Sequence, residues 1–378
     1  MIPAGTVGRS GSDGSRATRL LYDVAIGPRP AGSSAERLAQ SACEGELRDL
    51  GFDVVRAPFS YSRFPGEFGT PLGGAVAIAA FLISGHVAHA GHPELALAVL
   101  LAAGALLAIG GSWLTSTGVL DLPVMRATGD NLVAQRPGLE PRVWMVAHTD
   151  SKSQPISLLV RAVGATATGM VALASAITAA AQWRGMAWAH ALWPYLTVAG
   201  ALAATPLLFS LVGSRGEGAL DNASGAAAVV LAAASIPVGV PVGVLLTSAE
   251  ELGLAGARAW ARTRSGVVAL NCDGIDDEGM LTVMWSGRRP DLLIGALVAA
   301  AEREREPLRV MRLPPGILVD AVALQHDSGE SATLARGTLR SLRRVHSSSD
   351  TRANLRGIGI AAAARILSAA ATELALES

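Results

Sequence analysis

Residues Val143–Asp150 read Val-Trp-Met-Val-Ala-His-Thr-Asp, and this stretch decides the fold. The apolar run Val143–Ala147 predicts a short buried strand. The run stops at His148, and Asp150 follows two residues later. In open α/β sheets, ligands and catalytic groups collect just beyond the carboxyl ends of the strands. The segment therefore predicts a strand that brings two polar side chains to such an edge.

Strands and helices alternate on both sides of this segment. Before it, the sequence predicts helices over residues 15–50 with a turn at Gly27–Pro30, then strands over residues 52–61 and 131–135. After it, the predicted order is helix 223–235, strand 240–247, helix 254–264, strand 267–271, helix 291–305, a loop-rich passage and helix 353–374. This alternation predicts an α/β fold, with a mostly parallel mixed sheet flanked by helices.

Side chains of types that can bind metals follow several of these predicted elements. They are His148 and Asp150 after the quoted strand, Asp221 in D-N-A-S-G before a helix, Glu250 and Glu251 after the next strand, Asp273 after another, and His346 in a late loop. Imidazole and carboxylate without thiolate suit zinc or a similar divalent ion. Two histidines and three carboxylates can hold a pair of metals that share one carboxylate. Each feature alone also has an ordinary structural use, such as a helix N-cap for Asp221.

The apolar residues are concentrated in two blocks. The mean hydropathy is +0.39, which is high for a soluble enzyme. Residues 68–120 contain only Glu94 as a charged side chain, and residues 157–214 contain only Arg161 and Arg184. A membrane crossing takes roughly 20 residues, so each block is long enough for two. We expect four transmembrane helices in two hairpins, over Leu72–Gly91, Leu95–Thr115, Leu158–Ala181 and Ala187–Val212, the alternative being buried helices of a large soluble protein.

These blocks divide the chain. We expect a flexible N-terminus (residues 1–14), one discontinuous catalytic domain (15–67, 121–156 and 215–378) and two transmembrane hairpins (68–120 and 157–214). The second hairpin interrupts the chain between His148 and Asp221, so the predicted site should lie close to the membrane surface. His86, His89 and His92 near the end of the first span are interpreted either as a membrane-embedded metal or proton site or as neutral interfacial histidines.

The distribution of charge predicts the orientation. Two hairpins leave every polar segment on one side, and basic residues flank the spans on that side, namely Arg63, Arg126, Lys152, Arg161 and Arg215. The positive-inside rule then places the catalytic domain in the cytoplasm of a multi-pass membrane protein, and the N-terminus lacks a signal-peptide pattern. With 31 basic and 31 acidic residues, nothing points to nucleic acid as a partner, and no feature indicates an oligomeric state.

The order of the motifs resembles a known family. The series H-x-D, D-N-x-S-G, E-E-x-G-L-x-G, an Asp after the next strand and a late His followed by Asp350 and Thr351 is similar to the zinc aminopeptidases of peptidase family twenty-eight in clan MH. The resemblance covers residues 15–66 and 130–374, including the passage Pro28–Ser33, and the two apolar blocks lie outside it as insertions. It implies the zinc-peptidase fold and a hydrolase that acts on the N-terminal bond of a peptide or aminoacyl substrate.

The resemblance also implies a role for each candidate residue. Two zinc ions would be held, one completed by His148 and Asp273, the other by Glu251 and His346, with Asp221 bridging them. Glu250 would be the general base for metal-activated water and then the acid for the leaving amine. Asp150 would accept a hydrogen bond from the other ring nitrogen of His148 and fix its tautomer.

Two departures from the family pattern leave alternatives open. Val345 stands where well-known members carry a tyrosine that stabilises the oxyanion, and the Asp-His element of the family is scrambled around His326. His326 is interpreted either as a residue that shapes the substrate pocket or as an exposed loop residue. The alternative functions are a catalytically silent or scaffold member of the fold, a glutaminyl-cyclase-like acyl transferase that works with one metal, and a transporter. The complete ligand set with Glu250 favours the zinc aminopeptidase.

Overall fold

The structure of the protein is a computed structural model that describes residues 6–314 and 316–377. The chain forms two compact units. The first, here called the sheet unit, is built from the chain up to Tyr61, from Arg126–Ser153 and from Ser214 onward. The second, here called the apolar unit, is built from Ser62–Met125 and Gln154–Gly213.

Eight strands of the described residues form one sheet. They are β1 (Asp53–Ser62), β2 (Arg126–Gln135), β3 (Val143–His148), β4 (Val242–Thr247), β5 (Val268–Ile275), β6 (Met280–Trp285), β7 (Leu308–Arg312) and β8 (Glu330–Gly337). The helices are α1 (Thr6–Val24), α2 (Ser34–Asp49), α3 (Phe64–His89), α4 (Pro93–Trp113), α5 (Val119–Asp121), α6 (Leu158–Trp183), α7 (Ala187–Leu208), α8 (Ser224–Ala233), α9 (Ala255–Ala261), α10 (Asp291–Glu304), α11 (Asp320–Leu324), α12 (Leu339–Arg344) and α13 (Ile358–Glu377).

The centre of the sheet is parallel. The strand order is β1-β2-β4-β3-β5-β8-β6-β7, in which β4, β3, β5 and β8 run in the same direction. Strand β2 is antiparallel to β4, and β6 is antiparallel to β8. His148, at the end of β3, lies opposite Thr247, at the end of β4. The predicted mixed sheet flanked by helices is therefore confirmed.

Both faces of the central strands are covered. Side chains along a strand alternate between the two faces, so neighbouring residues of β3 belong to different cores. Met145 and Ala147 of β3 belong to the main hydrophobic core, which includes the fully buried helix α8 and most of α13. Trp144 and Val146 belong to a second core on the other face, where Trp144 meets Trp260 of α9 edge to face. Complete burial of β3 explains its nearly continuous apolar sequence.

The passage after residue 275 differs most from the prediction. Besides the predicted helix α10, it contains the strands β6, β7 and β8 and two short helices, α11 and α12. The sequence predicted loops at these positions. Strand β7 exposes Arg309 and Arg312, so its composition gives little sign of a strand. The last helix begins at Ile358 and not at Ala353, because Gly357 has φ +80°, which lies outside the right-handed helical region.

The apolar unit is held by close helix contacts at glycines. A Cβ on Gly200 of α7 would collide with the ring of Phe81 in α3, and one on Gly74 of α3 would collide with the backbone at Leu208. Small residues let helix backbones approach closely, which is how helices associate where the hydrophobic effect between them is weak. Gln182 adds a polar contact, because its side chain accepts a hydrogen bond from the buried Trp193 and donates one to the carbonyl of Ala88.

Five helices among the described residues are long and apolar enough to cross a membrane. Four of them, α3, α4, α6 and α7, lie in the apolar unit and overlap the four predicted spans. The fifth is α13, whose most apolar window is 72% buried inside the protein, against 11–44% for the other four. Burial of α13 against α8 and α10 accounts for its apolar sequence without a bilayer.

The glycine contact between α3 and α7 gives a first prediction. Gly200→Val places a branched side chain against Phe81, and overpacking of this kind costs about 1–3 kcal/mol. We expect the thermal unfolding midpoint of the full chain in detergent to fall.

The matched control is Gly169→Val in α6, because a Cβ at that exposed position meets no atom within 4 Å. The two variants have the same helical backbone cost. Equal midpoints for them would contradict the proposed contact.

Candidate metal centre

The candidate residues meet at the carboxyl edge of the parallel strands. His148 ends β3, Glu250 and Glu251 follow β4, and Asp273 lies near the end of β5. These three strands are neighbours and run in one direction, so their ends lie side by side. Asp221 is in the irregular turn Ala219–Ala223 that precedes α8. His346 follows α12 with φ 60°, a left-handed backbone that non-glycine residues adopt at a cost.

Two groups of possible metal ligands share one carboxylate. In the first, His148 Nε2 lies 3.1 Å from Asp221 Oδ1 and 3.7 Å from Asp273 Oδ1. In the second, His346 Nε2 lies 3.0 Å from Asp221 Oδ2 and 3.1 Å from Glu251 Oε2. Within each group one ligand atom per residue lies within 4.8 Å of the others. The structure thus brings together all five predicted ligands, with one oxygen of Asp221 directed to each group.

The chemistry of this cluster fits zinc. His148 Nε2 is buried and makes no hydrogen bond to any part of the protein that the structure describes, although three carboxylates lie within 4.0 Å of it. Such an atom needs a partner, because an unsatisfied buried polar group is costly. The carboxylates outnumber the cations around them, and a divalent ion would balance their charge. Nitrogen and oxygen donors of this kind suit zinc.

Glu250 is beside both groups and belongs to neither. Its Oε2 is 4.0 Å from His148 Nε2, and the side chain is buried. Burial, together with the neighbouring charges of Glu251 and Asp273, raises the pKa of Glu250 well above its usual value. Burial also opposes ionisation of Glu251, but His346 and Lys152 outweigh it and lower the pKa of Glu251 to about 2. The two adjacent glutamates therefore differ in their affinity for a proton.

Asp150 makes different contacts from those expected. Its carboxylate accepts hydrogen bonds from the backbone N–H groups of Glu250 and Glu251, both at 3.1 Å. His148 Nδ1 is 3.1 Å from the carbonyl oxygen of Asp150 and 3.6 Å from the carboxylate oxygen Oδ1. The carbonyl is therefore the nearer acceptor for His148, while the carboxylate positions the two glutamates.

The other two residues singled out in the sequence lie elsewhere. Val345 packs against the main hydrophobic core, so an apolar side chain stands at the end of α12. His326 is exposed in a short 3₁₀ turn after α11 and is in neither ligand group.

The sequence analysis assigned no role to three supporting residues. Asp350 accepts hydrogen bonds from the backbone N–H groups of Leu220 and Asp221, at 2.6 and 3.1 Å. Asp320 is fully buried, accepts a hydrogen bond from Thr247 Oγ1, and has its pKa raised by burial to about 7. Its charge is also one of those that raise the pKa of Glu250. A lone Asp at the start of a short helix has no pattern that distinguishes it from a cap.

The third supporting residue is Arg29, whose guanidinium is fully buried. It donates hydrogen bonds to the carbonyl oxygens of Thr149 and Gly218, both at 2.9 Å, and to that of Glu217. Arg29 therefore joins the loop after His148 to the loop before Asp221. The turn Gly27–Pro30 is visible in the sequence, but its contact with both loops is not.

Part of the chain matches a known protein family. The sequence profile of Peptidase family M28 matches residues 203–370, a range that contains every predicted ligand except His148. The search of curated proteins found no match.

Solved structures share the fold. BSAP, a zinc aminopeptidase from Bacillus subtilis, is 16% identical over 95% of this chain and 94% of its own, with a TM-score of 0.56. The LapA aminopeptidase from Legionella pneumophila is 12% identical over 97% of this chain and 72% of its own, with a TM-score of 0.53. A glutaminyl cyclase from Fimbriiglobus ruber is 14% identical over 96% of this chain and 95% of its own, with a TM-score of 0.52.

The resemblance to the zinc aminopeptidases of peptidase family M28 is therefore confirmed. Family profile and fold together support a zinc peptidase-like hydrolase. The glutaminyl cyclases share this fold, so the fold alone does not choose between peptide hydrolysis and cyclisation.

Arg29 gives a prediction for the scaffold of the site. Arg29→Met removes the hydrogen bonds to the carbonyl oxygens of Thr149, Glu217 and Gly218, at a cost of about 3 kcal/mol, although Gly218 keeps the N–H of Ala223 as a donor. We expect the thermal midpoint of the full chain to fall by about 4 °C. Arg29→Lys should recover part of the loss.

The matched control is Arg37→Met, because the exposed side chain of Arg37 donates a hydrogen bond to the carbonyl of Gly32 at the protein surface. If Arg37→Met lowered the thermal midpoint as much as Arg29→Met, the burial of Arg29 would contribute nothing to stability.

Proposed function

We propose that the protein is a membrane-integrated zinc aminopeptidase that hydrolyses N-terminal peptide bonds. The observation that carries this proposal is the position of Asp221 between two ligand groups, with Glu250 beside both and bound to neither. A shared carboxylate between two sets of imidazole and carboxylate donors is suited to a pair of divalent ions. The match to Peptidase family M28 supports the same activity.

The residues divide between holding zinc and moving a proton. His148, Asp221 and Asp273 would hold one ion, and Asp221, Glu251 and His346 the other. When bound, zinc lowers the pKa of water and polarises the scissile carbonyl. Glu250 would accept a proton from the attacking water at its carboxylate and pass it to the departing amine. Asp150 keeps Glu250 and Glu251 in place by accepting hydrogen bonds from both of their backbone N–H groups.

A glutaminyl-cyclase-like acyl transfer is the second candidate. The similarity to the cyclase from Fimbriiglobus ruber favours it, and Val345 in place of a tyrosine is compatible with a changed reaction. Retention of both ligand groups favours hydrolysis. A panel of aminoacyl amides and peptides with N-terminal glutamine separates the two reactions, because only hydrolysis releases a free amino acid.

Glu250→Gln gives the central test of the hydrolase. The amide cannot accept the proton, so kcat should fall about 10²- to 10⁴-fold. Metal analysis by mass spectrometry should still find two zinc ions per chain in this variant, because Glu250 is in neither ligand group. Chelation should abolish activity of the wild-type protein, and zinc should restore it.

The matched control is His346→Ala, which should lose zinc as well as activity. A wild-type protein with fewer than two zinc ions, or undiminished turnover in Glu250→Gln, would refute the proposed mechanism. A chain that binds two ions and cleaves no substrate in the panel would favour the silent or scaffold alternative.

We also propose that α3, α4, α6 and α7 span the membrane and that the sheet unit faces the cytoplasm. Their apolar side chains are largely exposed in the apolar unit, as with Ile109 and Met170, which are 72% and 68% exposed. Lipid would cover such surfaces. The basic residues at the ends of these segments support the orientation through the positive-inside rule.

Single engineered cysteines test this orientation, because the native Cys43 and Cys272 are both buried. Arg184→Cys lies between α6 and α7, and Val238→Cys lies at an exposed position of the sheet unit. In intact cells, a membrane-impermeant maleimide should label Arg184→Cys and should label Val238→Cys only after permeabilisation. The opposite pattern would reverse the orientation, and equal labelling of both without permeabilisation would exclude it.

A further inference from the structure

Lys152 is the only lysine in the chain, and it contacts Glu251 of the second ligand group. Its Nζ is 2.7 Å from Glu251 Oε2 and donates a hydrogen bond to the carbonyl oxygen of Glu251 at 3.2 Å. Its backbone N–H donates to Glu251 Oε1 at 3.3 Å. The side chain is only 15% exposed, so these contacts hold the ammonium group at the site.

The oxygen that Lys152 contacts is also one of the possible ligand atoms. Glu251 Oε2 lies 3.1 Å from His346 Nε2, the other donor of its group besides Asp221. A zinc ion held by Glu251 and His346 would therefore share that oxygen with an ammonium group or displace it. Two cations this close repel each other, and the repulsion is weakly screened in a buried site.

The first ligand group contains no such cation. Asp273 lies near His148, and no lysine or arginine contacts Asp273 in the portion of the chain that the structure describes. His148 is surrounded by the carboxylates of Asp221, Asp273 and Glu250. The two groups share Asp221 and have similar donors, but Lys152 contacts the second group, whereas the carboxylate of Glu250 lies 4.0 Å from His148 of the first.

We propose that Lys152 makes the group of Asp221, Glu251 and His346 the weaker of two zinc sites. The inference rests on the proposed two-zinc function. Zinc then binds first to His148, Asp221 and Asp273, and the second ion binds only at higher concentration because it must compete with the ammonium group for Glu251. At zinc concentrations between the two dissociation constants, the protein holds one ion. Turnover that needs both ions therefore rises as the weaker site fills.

This inference is tested by titrating zinc into the metal-free full chain in detergent, with calorimetry as the readout. The wild-type protein should show two binding steps of different affinity. Lys152→Met removes the positive charge and should tighten the weaker step about tenfold or more, leaving the tighter step unchanged. Lys152→Arg keeps the charge and should keep the weaker step weak.

Two ligand variants assign the steps without relying on Lys152. His346→Ala should remove the weaker step, and His148→Ala should remove the tighter one. Thermal unfolding of each zinc-free variant checks that it is folded. Lys152→Gln serves as a second neutral variant if Lys152→Met does not fold.

The outcomes separate this inference from the proposed function. Two steps of equal affinity in the wild type, removal of the weaker step by His148→Ala, or an unchanged weaker step in the neutral variants would overturn the role of Lys152 alone. A wild type whose second site fills only at a higher zinc concentration than in the neutral variants would support it. A protein that binds no zinc in any form would overturn both.

Discussion

The accumulation of negative charge at one buried edge of the sheet is the constraint on which the site depends. Asp221, Glu250, Glu251 and Asp273 are close together with little access to water, and carboxylates in that setting resist ionisation unless cations or hydrogen bonds compensate them. The protein meets this demand unequally. It gives Glu251 two cationic neighbours, whereas burial and like charges outweigh His148 beside Glu250, so one glutamate favours a metal and the other favours a proton.

The scaffold converts this constraint into geometry. Parallel neighbours β3, β4 and β5 end together, which brings residues about a hundred positions apart to one place without any local signal. Buried hydrogen-bonding groups then fix the loops: Asp150 and Asp350 each accept two backbone N–H bonds, and Arg29 donates to carbonyl groups from two loops. These supports touch the backbone of the ligand residues or of residues close to them in the chain. They hold the ligands in place at the cost of burying further charge.

Prediction from the sequence was most successful where one physical signal dominated. The continuous apolar run of β3 and the helical pattern of α10 gave elements close to those observed, because burial alone determines them. Strands β6, β7 and β8 were missed, since they mix polar and apolar residues and are stabilised by pairing with one another. The apolar sequence of α13 resembles that of a membrane span, and only its packing against α8 and α10 shows why it is apolar.

The sequence by itself determined the class of fold, the order of the candidate ligands and the separation of apolar from polar segments, because these follow from residue type and spacing. The tertiary structure alone decided that Asp150 accepts hydrogen bonds from the backbone of the two glutamates and that Asp320 and Arg29 support the site. It also decided that Lys152 contacts an oxygen of the candidate zinc ligand Glu251. Such contacts join residues far apart in the chain. They depend on which strands are neighbours, and no local periodicity encodes that choice.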